Sequence, residues 1–200
     1  DKDPVIDDPE IAQFWDGLPK NLSKLENVIW AENPANVDDY AWTKGSDGIS
    51  RVWHPGIQEG KNYGWAGAPD IVAEYKGQIV LGDLKTSNNP YCSKWPDSST
   101  PKSEYGKKRS GFMKYQKCQL QLAAYALGLE HTINIIPDLC MTFVATKEGS
   151  QVFVIQKHTI EKYKQKWLDI VTKYYEEVLP SKKKAVVEME GIDGDNIDPK

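Results

Sequence analysis

The longest amphipathic pattern in the chain lies near its carboxyl end, where Ile160, Tyr163, Trp167, Ile170, Val171, Tyr174 and Val178 recur at helical spacing. That spacing predicts a helix capped by Thr159 and running to Val178, with one buried stripe. Upstream, Leu120, Ala123, Ala124, Leu127 and Gly128 set a helical period over 115–130. Elsewhere the apolar positions crowd into short β-rich runs: Val28-Ile29-Trp30-Ala31, then 49–53, 67–75, 78–86, 139–145 and 152–156. The runs 67–75 and 78–86 meet at Lys76-Gly77, a hairpin signal. Near the amino end, Asp8-Pro9-Glu10 supplies a cap, a proline and an acid for a short helix through Trp15. Gly17 and Pro19 break that helix, and 21–26 resumes it. Residues 86–111, rich in Pro, Ser and Lys and without periodicity, read as a long surface loop. Loops of that length are more often functional or mobile than idle.

This order predicts an α/β fold, a central mixed β-sheet flanked by helices. The expected organisation is a single domain over 1–180 with a charged, disordered tail at 181–200. Two hundred residues are enough to bury a core without staples. With 27% charged residues and no apolar run near the roughly 18 residues a span needs, a membrane protein is excluded. Seven Trp, ten Tyr and four Phe exclude wholesale disorder. Cys92, Cys118 and Cys140 form no CxxC pair and read as reduced intracellular thiols. The acidic opening DKDPVIDDPE is no signal peptide and, lacking Met, reads as a trimmed end.

The formal net charge of −4 conceals an uneven distribution. Residues 1–39 hold ten acids and three lysines, and 186–200 hold five acids and Lys200. Between them Lys94, Lys102, Lys107, Lys108, Arg109, Lys114 and Lys117 face only Asp97 and Glu104. A basic segment at 86–114 between acidic ends is compatible with a polyanion partner and equally with a solvated lysine-rich loop.

With Lys76 and Gly77 as the turn residues, hairpin pairing sets Asp70 directly across from Asp83, β-carbons roughly 4.5–5.5 Å apart. Lys85, two residues beyond Asp83, shares that face. Two facing carboxylates destabilise a sheet unless a divalent cation lies between them, and oxygen ligands with room for water suit Mg²⁺ or Mn²⁺. Such an ion polarises a phosphoryl oxygen and activates water, with the lysine stabilising developing charge. Taken as isolated residues, Asp70 and Lys85 read instead as a hairpin cap and a surface ion pair.

The motifs taken together favour the first reading. Gly67-Ala68-Pro69-Asp70, twelve residues, then Asp83-Leu84-Lys85-Thr86 resembles the signature of the PD-(D/E)xK nuclease superfamily. Gln121-Leu122-Ala123-Ala124-Tyr125 resembles the QxxxY motif of its RecB-type branch, with Gln121 and Tyr125 on one helix face. Over about 28–178 the chain is similar to the group of mitochondrial genome-maintenance exonucleases and their phage relatives. The resemblance implies a restriction-endonuclease-like core. It implies Asp70, Asp83 and the backbone carbonyl of Leu84 as ligands of Mg²⁺ or Mn²⁺, with Glu32 a further acidic position. Lys85 would be the catalytic lysine, and Gln121 and Tyr125 would contact DNA near the scissile phosphate. The expected location is the cytoplasm (of a host, for a phage-borne chain) or the mitochondrial matrix. The chain departs from the branch in carrying no His before His54, where these nucleases place a metal-binding His. Three scattered cysteines also cannot hold the iron–sulfur cluster of some relatives.

Thr86 and Ser87 are candidate phosphate donors, or merely satisfy the strand end. Lys107, Lys108 and Arg109 would track phosphates, and Tyr91 and Trp95 would stack unpaired bases. Trp65 reads as core. The expected function is a metal-dependent DNA exonuclease preferring single strands or free ends, acting in DNA replication, repair or recombination. The rivals are a silent nucleic-acid-binding protein on the same scaffold and an endonuclease, including an RNA-processing one.

Overall fold

The computed structural model describes residues 9–15, 17–31, 51–58 and 60–182. Glu32, part of the 49–53 run and most of the acidic tail lie outside the described residues.

The elements follow the order α1 (Pro9–Trp15), α2 (Leu18–Leu22), β1 (Glu26–Ala31), β2 (Val52–His54), β3 (Ile57–Gln58), β4 (Lys61–Asn62), β5 (Trp65–Gly67), β6 (Ile71–Tyr75), β7 (Gln78–Ser87), α3 (Lys102–Ile133), β8 (Leu139–Thr146), β9 (Gly149–Gln156) and α4 (Lys157–Lys173). A π-helical turn, Tyr174–Val178, continues α4. One five-stranded sheet has the order β1-β6-β7-β8-β9, and β2 pairs with β5 and β3 with β4. Within the large sheet only β7 and β8 run parallel, and α3 makes the crossover between them. The fold is therefore α/β, a mixed sheet with helices on its faces.

Strand β8 is buried at all eight positions, as a central strand covered on both faces must be. On one face α3 packs Leu122, Ala126 and Leu129 against Val72, Leu81 and Cys140. On the other, Leu18 of α2 joins Val80, Met141 and Phe143. Asp83 shares the α3 face with Leu81, because side chains alternate along a strand.

Lys76 and Gly77 form the β6–β7 turn with φ of 52° and 74°, the left-handed pair that a two-residue hairpin needs. The register that results pairs Ile71 with Gly82 and Tyr75 with Gln78. A Cβ at Gly77 would meet nothing within 4 Å, so the backbone conformation alone requires glycine. Gly77→Ala is expected to cost about 1 kcal/mol in a urea melt.

Two helix boundaries differ from the sequence expectation. Helix α3 begins at Lys102, so the last ten residues of the expected 86–111 loop are helical. Its first turns are exposed and held by a Lys108–Glu104 ion pair at i,i+4, leaving no apolar stripe to read. Helix α4 begins at Lys157, before Thr159, with Gln156 as its N-cap residue. Pro19, expected to break a helix, instead sits in the first turn of α2, where its missing N–H costs nothing. His54 is the last residue of strand β2. Among the described residues no helix is long and apolar enough to cross a membrane.

Candidate active site

Strand β6 begins only at Ile71 while antiparallel β7 runs on to Ser87, so β7 beyond Gly82 lacks a β6 partner. Asp70 occupies that gap. Its Oδ2 accepts the Leu84 backbone N–H at 2.6 Å. The Pro69 carbonyl before it accepts the indole N–H of buried Trp30 at 3.3 Å, which ties the Pro-Asp step to β1. Along a strand a residue's N–H and C=O project to the same edge, so the Leu84 carbonyl emerges on the side where Asp70 sits.

Asp83 is completely buried. Its Oδ1 accepts from Lys85 Nζ at 2.7 Å, while its Oδ2 has no hydrogen-bond partner. Burial pushes its pKa up to about 6; Lys85 opposes that shift and the Asp70 charge adds to it. Burial works to lower the Lys85 pKa, but pairing with Asp83 and the nearby Asp70 outweigh it and leave the ammonium above its ordinary range. Thr142, which pairs with Asp83 in register and is fully buried, also lacks a partner for its hydroxyl. The unpartnered Asp83 Oδ2 and the neighbouring Asp70 carboxylate are oxygens of the kind a hard cation would take. Among the described residues no group of three His, Cys, Asp or Glu side chains is gathered for a metal, so further ligands there would be Leu84 O and water.

Helix α3 roofs the cluster. Gln121 Nε2 donates to Tyr125 Oη at 2.7 Å across one turn. Burial raises the Tyr125 pKa and Gln121 opposes it, with Asp83, Lys85 and Asp70 all within electrostatic reach. Gly67 permits this approach, since a Cβ there would overlap the Tyr125 ring. Tyr125→Phe removes only the hydroxyl, so the melting free energy is expected to stay within about 1 kcal/mol of the parent's. Cys118 faces the same carboxylate: burial, and then Asp83, push its thiol up to about 11, which keeps it protonated. Sequence reasoning missed Thr142 and Cys118; the only signal was a polar residue inside the apolar run Leu139-Cys140-Met141-Thr142-Phe143.

The structure thus brings Asp70, Asp83, Leu84, Lys85, Gln121 and Tyr125 together, and it separates others from them. Thr86 falls on the opposite sheet face by alternation. The Ser87 hydroxyl is buried and occupied, donating to Asn89 O and accepting from Lys114 Nζ at 2.9 Å. Tyr91 is 7% exposed and packs with Cys118 and Val144, so it has no open face for a base. Gln151 pins its backbone through both N–H and C=O. Trp95 is exposed, with the Arg109 guanidinium 5.8 Å from its ring and Phe112 edge-on. Lys107 and Lys108 border a neighbouring depression of about 340 Å³. Trp65 is half-buried, its indole N–H bonded to Ala124 O at 3.3 Å, and it borders a groove as well as the core.

No family model matches the chain, and no curated protein matches it. Among solved structures it is similar to the crystal structure of SSO0001, at 14% identity and a TM-score of 0.37. The match covers 80% of this chain and 58% of that one.

Proposed function

We propose that this chain is a divalent-metal-dependent deoxyribonuclease, an exonuclease that hydrolyses phosphodiester bonds in single strands or at free ends. Its setting would be DNA replication, repair or recombination inside a cell or organelle, where the three free cysteines stay reduced. The observation that carries this reading is a fully buried Asp83 with one unpartnered oxygen, set at the hairpin end beside Asp70 and bonded to Lys85. A carboxylate kept in that state has a function to perform, because burying it without full pairing is costly.

Mg²⁺ or Mn²⁺ held by Asp70, Asp83 and the Leu84 carbonyl would supply Lewis-acid polarisation and a water of lowered pKa. The chain's own residues do the rest. Lys85 keeps its proton at neutral pH and stabilises negative charge growing on the phosphoryl oxygens. Tyr125 and Gln121, locked to one another, orient the strand above the carboxylates. Exposed Lys107 and Arg109 at the start of α3 attract the polyanion without reading sequence.

The test compares end-labelled linear with circular single strands in Mg²⁺ or Mn²⁺. Degradation of the linear strand alone is the expected result. Cutting of the circle would make the chain an endonuclease, and binding with no cleavage of either would make it a silent binder.

A further inference from the structure

Beside Tyr125 a groove of about 400 Å³ runs between α3 and α4, walled by Gly67, Gln121, Lys117, Trp65 and Trp167. A second hollow of about 250 Å³ shares Trp65, Trp167 and Ile170 with it and continues to Tyr174 and Tyr175. The rings form two groups, one along each hollow. Trp65 meets Trp167 edge-on at 5.8 Å, Tyr174 meets Tyr175 edge-on at 5.6 Å, and Tyr175 stacks on Tyr63 at 5.1 Å. Tyr175 is tethered by its hydroxyl to Gly64 O at 2.7 Å, and Trp65 is held by Ala124 and by stacking on His54. Ile170 and Tyr174 nevertheless remain 46% and 42% exposed. Large apolar side chains left open beside a rigid aromatic wall mark a binding surface.

The charges around the groove select its occupant. Lys117 lines it from α3. On α4, exposed Lys166 lies four residues before Ile170 on the same helix face, its ammonium 4.6 Å from the Tyr163 ring. Farther along, Glu176 is paired with Lys61 and bonded by Tyr63, and Glu177 is paired with Lys173, so charge cancels within these pairs. An apolar aromatic floor between lysine rims matches a strand of unpaired nucleotides, bases inward and phosphates outward. An apolar peptide would need no such rims. The seven helical steps from Trp167 to Tyr174 span about 10 Å, room for about three bases at the ~3.4 Å spacing of a stacked strand.

We infer that this α3–α4 groove is the track for single-stranded nucleic acid, seating about three unpaired bases and delivering the strand past Tyr125 to Asp70, Asp83 and Lys85. The inference rests on the hydrolytic reading of that site, but its test does not. Binding of fluorescein-labelled oligothymidylate is measured in EDTA, where no cleavage occurs, with the whole chain. Tyr174→Ala and Ile170→Glu change exposed side chains, and a circular-dichroism melt verifies each fold. Tyr174→Ala is expected to weaken binding by about tenfold or more, the worth of one stacked base, and Ile170→Glu by a similar factor, because it sets a carboxylate against the phosphates. Lys166→Gln is expected to lower the salt slope of log K by about 0.7, one phosphate's share. Val154→Ser, exposed on β9, is the control and should bind as the parent does.

Unchanged affinity in both groove variants would overturn the inference even if Lys85-dependent cleavage is found. Conversely, lost binding in a chain that never cleaves would uphold the track and remove the nuclease. If Ile170→Glu abolishes self-association in sedimentation and leaves oligonucleotide binding intact, the groove is a contact between two copies and the inference fails.

Discussion

Lys85→Ala should reduce Mg²⁺- or Mn²⁺-dependent cleavage by about 10²–10³-fold, the loss typical when a preorganised donor to developing charge is removed, while oligonucleotide binding changes little. That expectation rests on where the side chain lies. Its ammonium lies 2.7 Å from Asp83 and is only partly exposed, so it faces the carboxylates rather than bulk water. Removing it also leaves a buried carboxylate without its partner, which destabilises the fold. Asp83→Asn combined with Lys85→Met removes both charges, and it is expected to melt normally and remain inactive. Full activity in Lys85→Ala would remove the mechanism.

Asp83→Asn should make the metal-free protein more stable at pH 8 and nearly unchanged at pH 4. The sign follows from proton linkage. An ordinary aspartate titrates near 3.8, whereas burial holds Asp83 at about 6 in the folded chain. Below pH 4 the group is protonated in both states and costs nothing. As pH rises through 6 the folded state must ionise a buried carboxyl that the unfolded chain ionised earlier, so stability is lost. The difference amounts to about 2–3 kcal/mol, or roughly 5–10 °C in melting temperature for a chain of this size. Mn²⁺ should reverse the order, because it stabilises the parent's carboxylate and has less to hold in the variant. A variant less stable than the parent at pH 8 would show that Asp83 serves mainly as the structural partner of Lys85.

The hairpin was the most legible part of this chain. A Lys-Gly turn admits few geometries, so the pairing follows from counting, and the observed register has Asp70 and Asp83 at the same level. The stripe Ile160, Tyr163 and Val171 likewise marks a buried helix face. Where long-range approach decides, local pattern was silent. The first three turns of α3 touch little, so their helical state leaves no hydrophobic period. Tyr91 sits in a Pro- and Ser-rich stretch that reads as surface, yet Gln151 of β9 draws its backbone down against Cys118 and Val144. Ser87 reads as a free hydroxyl until Lys114, 27 residues away, is seen to occupy it. The α3–α4 groove arises because Ile170 and Tyr174 belong to a periodic stripe that predicts burial and are left uncovered at its far end.

Calorimetric titration with Mn²⁺ puts the central claim to the most direct test, since it needs neither substrate nor turnover. The parent chain is expected to bind the ion with release of protons near pH 6, as Asp83 gives up its proton to become a ligand. Asp70→Asn and Asp83→Asn should each weaken that binding strongly, while Glu148→Gln on the exposed β8–β9 turn should not. Equal binding by the parent and both aspartate variants would contradict the account.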